Sequence, residues 1–209
     1  MDLKRFFAKV DGILKKEKVR YAIAGGLAAS LYRKEERLTR DLDFLIFSES
    51  HTQERATQIL VSLGLTPHVI RKADLEGGPL FAIKRKTSEP WIIAGRGETD
   101  STKIGLDFIL PEMPWFESAL MRAEQNRIDF GFGKVASLTV EDVILSKFFS
   151  LKNDQTRFND LDDLKSILLT QHPLDLAYLS GQMQRLDLVV PKPIEEMVPK
   201  ALRLVSRRK

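Results

Sequence analysis

The chain has 209 residues, 43% of them hydrophobic, which suits one medium domain or two small ones around a buried core. No apolar run approaches the roughly 18 residues that a membrane-spanning helix needs, and the lack of cysteine excludes disulfides and thiolate metal sites. A net charge of +4 and a pI near 9.2 permit a polyanionic substrate, although a solvated basic surface is the simpler explanation. We expect a cytoplasmic protein with neither a signal peptide nor a membrane segment.

Helical and extended patterns alternate in the first part of the chain. Apolar residues at helical spacing predict an amphipathic helix over 2–18, and an apolar strand over 21–24 then ends at Gly25 and Gly26. The small residues that follow favour a helix from Gly26 to Lys34, packed close to a sheet. Further strands are predicted at 42–47, 66–71, 79–86, 91–94, 103–110, 127–130 and 133–136, and helices at 50–64 and 114–123.

Only helical patterns remain after residue 137. They are predicted to cover 139–152, 159–170, 174–185 and 193–206. The sequence therefore indicates an α/β (α+β) domain over residues 1–137 and a helical C-terminal domain over residues 138–209.

Three aspartates interrupt two strongly apolar strands. Side chains alternate along a strand, so Asp41 and Asp43 share the face opposite Leu42, and Asp107 stands in the same setting on the later strand. Carboxylates this close raise one another's pKa unless a cation lies between them, and a divalent metal with oxygen ligands is the natural partner. If the two strands are neighbours, the three acids can hold two Mg²⁺ ions for phosphoryl or nucleotidyl transfer. The alternative is that Asp41 and Asp43 form ion pairs with Arg37 and Arg40.

The strand that ends at Gly25 and Gly26 and opens a helix indicates a phosphate site, because a helix N-terminus offers free N–H groups. A tight turn without a ligand is the simpler explanation. The connection from Lys34 to Asp41 is long enough to bring the acids back beside the glycines.

The helical part places charged residues on apolar faces. Lys147 lies on the buried side of its helix, where it either contacts a nucleotide triphosphate or extends to the domain edge. Asn159 is a good N-cap, and Asp160, Asp162 and Asp163 in the following turn suit the helix dipole. Asp160 and Asp163 also border the core face, where they could orient Lys147 or Arg157.

Taken together, these motifs resemble the nucleotidyltransferases with a polymerase-beta-like fold. The family pattern of two glycines opening a helix, D-x-D on the next strand and a third acid on a later strand corresponds to AGGLAASLYRKEERLTRDLDFLIF followed by GLDFIL. The segments RLTRDLD and SKFFSLKNDQTRFNDLDDL are similar to the AbiEii/AbiGii-type toxin nucleotidyltransferases. Members of that branch carry a helix lysine and an R-x-K-D-x-x-D segment, in which Asn159 here replaces the usual lysine.

The resemblance implies a mixed sheet, a C-terminal helical bundle, two Mg²⁺ ions and an NTP substrate. By the same resemblance, Gly25 and Gly26 would hold the triphosphate, and Asp41, Asp43 and Asp107 would bind metal, with Asp107 also helping to deprotonate the acceptor. Lys147 and Arg157 would belong to the nucleotide site, and Asp160 and Asp163 would support them there.

The resemblance leaves the acceptor open. Toxin relatives suggest an RNA 3′ end such as tRNA, or a protein hydroxyl, and an antitoxin protein as partner. An aminoglycoside-type enzyme would instead need an acidic pocket, for which Glu35, Glu36, Glu76 and Glu98 are candidates. The third alternative is a catalytically silent relative that only binds a nucleotide or a partner protein.

Overall fold

The computed structural model describes residues 3–35, 39, 41–75, 90–99 and 102–206. Its strands are β1 (Arg20–Ile23), β2 (Asp41–Phe47), β3 (Thr66–Arg71), β4 (Pro90–Thr99), β5 (Thr102–Ile109), β6 (Arg127–Asp129) and β7 (Lys134–Ala136). Its helices are α1 (Leu3–Lys16), α2 (Gly25–Ser30), α3 (Thr52–Ser62), α4 (Lys72–Leu75), α5 (Phe116–Gln125), α6 (Val140–Asn153), α7 (Phe158–Leu169), α8 (Leu176–Arg185), a 3₁₀ turn (Lys192–Ile194) and α9 (Lys200–Ser206). The strand predicted at 79–86 lies outside the described residues.

Five strands form one sheet in the order β1-β2-β5-β4-β3. The sheet is mixed, as the resemblance predicted. The neighbours β2 and β5 are parallel, whereas every other pair in this sheet is antiparallel. The remaining strands, β6 and β7, form a separate antiparallel pair. The parallel pairing matters for the site, because it aligns the acidic ends of the two strands.

One face of the sheet is packed against helices α1 and α3. Phe44 of β2 lies under Phe7 of α1, with their ring centroids 5.6 Å apart, and contacts Phe108 of β5 at 6.4 Å. At Gly95 of β4, an added Cβ would lie 2.5 Å from Leu60 of α3, so the missing side chain lets that helix approach closely. The apolar side chains of the alternating strands β2 and β5 are thus buried on this face, and their aspartates point to the other face.

Two helices differ from the prediction. The helix after the glycines ends at Ser30 rather than Lys34. The helix predicted over 193–206 is split into the 3₁₀ turn and α9, because Pro199 lacks an N–H and disfavours helical geometry in the residue before it.

The predicted boundary after residue 137 remains a prediction. Buried side chains from both sides of it, such as Phe44 and Phe148, belong to one hydrophobic cluster. In the part of the chain that the structure describes, no helix is both long and apolar enough to span a membrane.

Candidate active site

The turn between β1 and α2 is shaped around Asp43. Gly25 has a φ of +56°, and a Cβ there would lie 1.9 Å from a carboxylate oxygen of Asp43. The backbone N–H of Ala24 donates to the Asp43 carbonyl at 2.8 Å, and that of Gly26 donates to the Asp43 side chain. The predicted phosphate turn therefore lies directly against the Asp43 carboxylate, and only glycine fits at position 25.

The three aspartates come together as the alternation of the strands predicted. In the parallel register Asp43 lies directly opposite Asp107, and Asp41 lies opposite Gly105. A Cβ at Gly105 would lie 2.1 Å from an Asp41 carboxylate oxygen, so a larger residue would displace that side chain. Asp41 is exposed, whereas Asp43 is partly buried between the two strands and the glycine turn.

The environment of Asp43 disfavours its charged form. Burial, followed by the negative charge of Asp107, raises its pKa to about 6, and Lys147 and the Gly26 N–H only partly oppose this. A cation placed between Asp43 and Asp107 would lower the pKa of Asp43 again. Positive charge at this point would therefore stabilise the ionised carboxylates.

Arg96 of β4 also lines the cavity, and the sequence analysis did not predict it as a site residue. Its guanidinium forms two hydrogen bonds to the two oxygens of Asp107, one of them 3.0 Å long from Nη2 to Oδ2. The signal that could have revealed it is a lone arginine between Gly95 and Gly97, directly after the apolar run from Trp91 to Ala94. The alternative partners Arg37 and Arg40 lie outside the described residues.

The three aspartates have the ligand type and the location that a divalent cation needs, but their carboxylates are not arranged around one point. Hard cations such as Mg²⁺ prefer carboxylate oxygens, and all three acids border one cavity. Among the described residues, however, no group of three or more histidine, cysteine, aspartate or glutamate side chains is arranged to hold an ion. The carboxylates of two of the aspartates have other contacts: that of Asp107 binds the Arg96 guanidinium, and that of Asp41 lies over Gly105.

On the helical side, Lys147 is buried between two carboxylates. Its Nζ lies 2.8 Å from Asp160 and 2.6 Å from Asp163, and only 5% of its side chain is exposed. The alternative of a lysine that extends to the domain edge is therefore wrong. Arg33 adds a second cation, 2.5 Å from Asp163 and 2.9 Å from Asp162.

Arg157 completes this group at the start of α7. Its Nε donates to Asp160 at 2.5 Å. Burial alone would raise the pKa of Asp160, but Lys147 and Arg157 outweigh it and lower that pKa below its usual value. The predicted N-cap was wrong, because α7 begins at Phe158 and Asn159 already belongs to the helix.

A cavity of about 580 Å³ joins the two sides. Eight of the nine predicted site residues line it, and only Asp163 stands behind Lys147 with a fully buried side chain. The cavity has the size of small-ligand sites, and its walls combine three strand carboxylates with the glycine turn and basic side chains. Such an arrangement suits a phosphorylated ligand bound together with cations.

The comparisons with known proteins agree with this geometry. Residues 13–203 match the family model described as "Nucleotidyl transferase AbiEii toxin, Type IV TA system". No curated protein sequence matches the chain significantly.

Among solved structures, an antigenic nucleotidyltransferase-like protein from Paracoccidioides brasiliensis is 18% identical, with 88% of this chain and 86% of that chain covered and a TM-score of 0.52. The antibiotic-resistance factor ANT(2'')-Ia is 15% identical, with 87% of this chain and 90% of that chain covered and a TM-score of 0.49. The first similarity supports the fold, and the family match supports the activity. Because that match extends over nearly the whole chain, this protein belongs to the AbiEii toxin family and is a nucleotidyltransferase.

Proposed function

We propose that this enzyme transfers a nucleoside monophosphate from an NTP to the hydroxyl of an RNA 3′ end, such as that of a tRNA, in a Mg²⁺-dependent reaction that releases pyrophosphate. The observation that carries the proposal is the pairing of Asp43 with Asp107 on neighbouring parallel strands, in the cavity that Lys147 and the glycine turn also line. The proposal places the enzyme in the cytoplasm, where an antitoxin protein would restrain it.

The strand carboxylates are the candidate metal ligands. Asp41, Asp43 and Asp107 would hold two Mg²⁺ ions, which neutralise charge on the phosphates and make the acceptor hydroxyl more acidic. Asp107 would take up the proton of the attacking hydroxyl. Burial and the charge of Asp107 raise the pKa of Asp43 to about 6, and a cation bound beside it would lower that pKa again.

The triphosphate would lie between the glycine turn and Lys147. A lysine ammonium has three N–H donors, and Asp160 and Asp163 accept two of them, which leaves one for a phosphate oxygen. Because both carboxylates are themselves bound by arginines, the lysine is held in one position. Arg157 lines the same cavity and would bind a second phosphate oxygen.

A small cationic acceptor has less support at this site. Among the described residues, no glutamate lines the main cavity, and Glu98 lines only the space beside it. Glu36 and Glu76 lie outside the described residues. The aspartates that line the cavity have other partners: Asp41, Asp43 and Asp107 are the candidate metal ligands, Asp160 binds Lys147 and Arg157, and Asp154 binds Thr156.

The test is label transfer from each of four α-³²P-NTPs, with and without Mg²⁺, onto total small RNA, cell protein and small-molecule acceptors. Asp41→Asn and Asp43→Asn remove the proposed ligands, and Asp129→Asn, in the β6–β7 hairpin, is a matched control outside the cavity. The proposal expects Mg²⁺-dependent label on a defined RNA, lost in both site variants and retained in the control.

Other outcomes would redirect the proposal. Label on a protein or a small molecule would keep the transferase and replace the acceptor. No transfer with any NTP, together with no Mg²⁺-dependent nucleotide binding, would contradict it and indicate a silent binding protein.

A further inference from the structure

A cation supplied by the protein already occupies one of the three strand carboxylates. Arg96 reaches from β4 across to β5 and contacts both oxygens of Asp107, whose side chain is only 16% exposed. Two-point pairs of this kind are among the stronger hydrogen-bonded ion pairs in proteins. Both oxygens of Asp107 therefore accept a hydrogen bond from the guanidinium, whose positive charge disfavours a metal ion at the same carboxylate.

This pairing explains why the acids are neighbours without forming a ready metal site. Asp43 and Asp107 are aligned by the strand register, yet within residues 3–35, 39, 41–75, 90–99 and 102–206 no three such side chains are arranged around an ion. The guanidinium already supplies positive charge at Asp107, which a metal ion bound there would otherwise supply. Metal and arginine are thus competitors for one carboxylate.

A second space beside the main cavity is large enough to hold the Arg96 side chain. Beside the main cavity, and sharing Asp41 and Arg96 with it, is a second space of about 660 Å³ along β3, β4 and β5. Gly105 lies in register between Asp41 and Arg96, so no side chain stands between them, and 46% of the Arg96 side chain is exposed. A change of side-chain rotamer would move the guanidinium off Asp107 and into this second space without any backbone movement.

We propose that Arg96 is the resident counter-cation of Asp107, which a divalent metal displaces when it binds, so that the guanidinium turns into the neighbouring space, which Glu98 also lines. The inference rests on the proposed metal-dependent function. Arg96 acts here as a positioning residue, because it keeps Asp107 neutralised and oriented until the metal arrives. Its positive charge then stays next to the site, on the side away from Lys147 and the glycine turn.

The experiment measures Mn²⁺ binding to the full-length, nucleotide-free protein, by the electron paramagnetic resonance signal of free Mn²⁺. Arg96→Gln removes the competitor and should tighten Mn²⁺ binding about fivefold, since the pair is partly exposed. Arg96→Lys keeps the charge without the two-point contact and should give a smaller gain. Asp107→Asn should weaken binding, and adding Arg96→Gln to it should then change nothing further, because both act through one carboxylate.

Lys103→Gln is the matched control, since it removes one positive charge from the lining of the second space without touching Asp107. An equal gain in Lys103→Gln would show a general charge effect and overturn the proposal. Unchanged or weaker Mn²⁺ binding in Arg96→Gln, in an enzyme that still transfers label, would overturn the role of Arg96 and leave the transferase intact. No Mn²⁺ binding by the wild type or any variant, together with no label transfer, would overturn both.

Discussion

The two walls of the cavity carry ion groups of opposite character. On the helical wall, Lys147, Arg33 and Arg157 face three carboxylates, so the charges match and most of the atoms are buried. On the strand wall, three carboxylates face one partly exposed arginine, and the pKa of Asp43 is raised to about 6. The difference indicates that the helical wall is a rigid support, whereas the strand wall is incomplete without another cation.

The largest expected effect is on activity, from Asp43→Asn on the strand wall. Loss of a carboxylate that would bind metal should lower the rate of nucleotide transfer on the order of 10³-fold. Folding should be preserved, because asparagine has the same shape and removes a repulsive charge next to Asp107. Label transfer and the thermal unfolding midpoint, measured on the same preparation, separate the two effects.

Stability rather than activity is the readout for the helical wall, where Lys147→Met leaves two buried carboxylates with one cation fewer. Breaking a buried ion group of this kind costs about 3–5 kcal/mol in the free energy of unfolding. Lys152→Met in the same helix is the matched control, because Lys152 is 37% exposed and pairs with an exposed Asp187. Urea denaturation should show a loss of less than about 1 kcal/mol for that control. Equal losses in the two variants would contradict the view that Lys147 holds a buried ion group together on the helical wall.

The glycine turn joins the two walls, and Gly25→Ala should disturb both readouts. The new Cβ would collide with the Asp43 carboxylate at a φ of +56°, so we expect a loss of about 2–3 kcal/mol of stability and of most activity. Gly12→Ala is the control, because nothing lies within 4 Å of its added Cβ in the middle of α1. That variant should be stabilised by about 0.5–1 kcal/mol in urea denaturation, and an equal response at both positions would contradict the role given to the turn.

Much of the strand wall could be predicted from the sequence, because the face on which each strand side chain lies depends only on its immediate neighbours in the chain. The period-two alternation around Asp43 and Asp107 determines which face each side chain occupies, whatever the neighbouring strands are. That β2 and β5 are parallel neighbours could only be expected conditionally, since register depends on contacts far apart in the sequence. Arg96 was missed for the same reason, because its partner is eleven residues away across a strand pair.

The helical wall was predicted less completely. A lysine in an apolar stripe indicated that Lys147 needs a partner. Asp160 and Asp163 were named as residues that could orient it, and both of them contact its ammonium group in the structure. Arg33 joins this group from a position 130 residues earlier in the chain, and no local pattern indicates that contact. The helix that was predicted to reach Lys34 ends earlier, which frees Arg33 to turn toward α7.

The smallest expected effect is a pH dependence that separates the strand wall from the helical wall. The pKa of Asp43 is raised to about 6 from an unfolded value near 3.8, so the folded state binds more protons than the unfolded state between these values. Stability from this group is therefore present below about pH 4 and is lost as the pH rises through 6. Asp43→Asn lacks this loss, and its stability relative to the wild type should rise between pH 4 and pH 7 by on the order of 2 kcal/mol.

Urea denaturation at a series of pH values checks this difference, first in EDTA and then in saturating Mg²⁺. A bound cation would lower the pKa of Asp43 and should remove most of the gain of the variant at pH 7. A gain that is the same at pH 4 and pH 7 would mean that Asp43 titrates normally in the folded protein. The strand wall would then be as well neutralised as the helical wall, and the need for an added cation would have to be argued from activity alone.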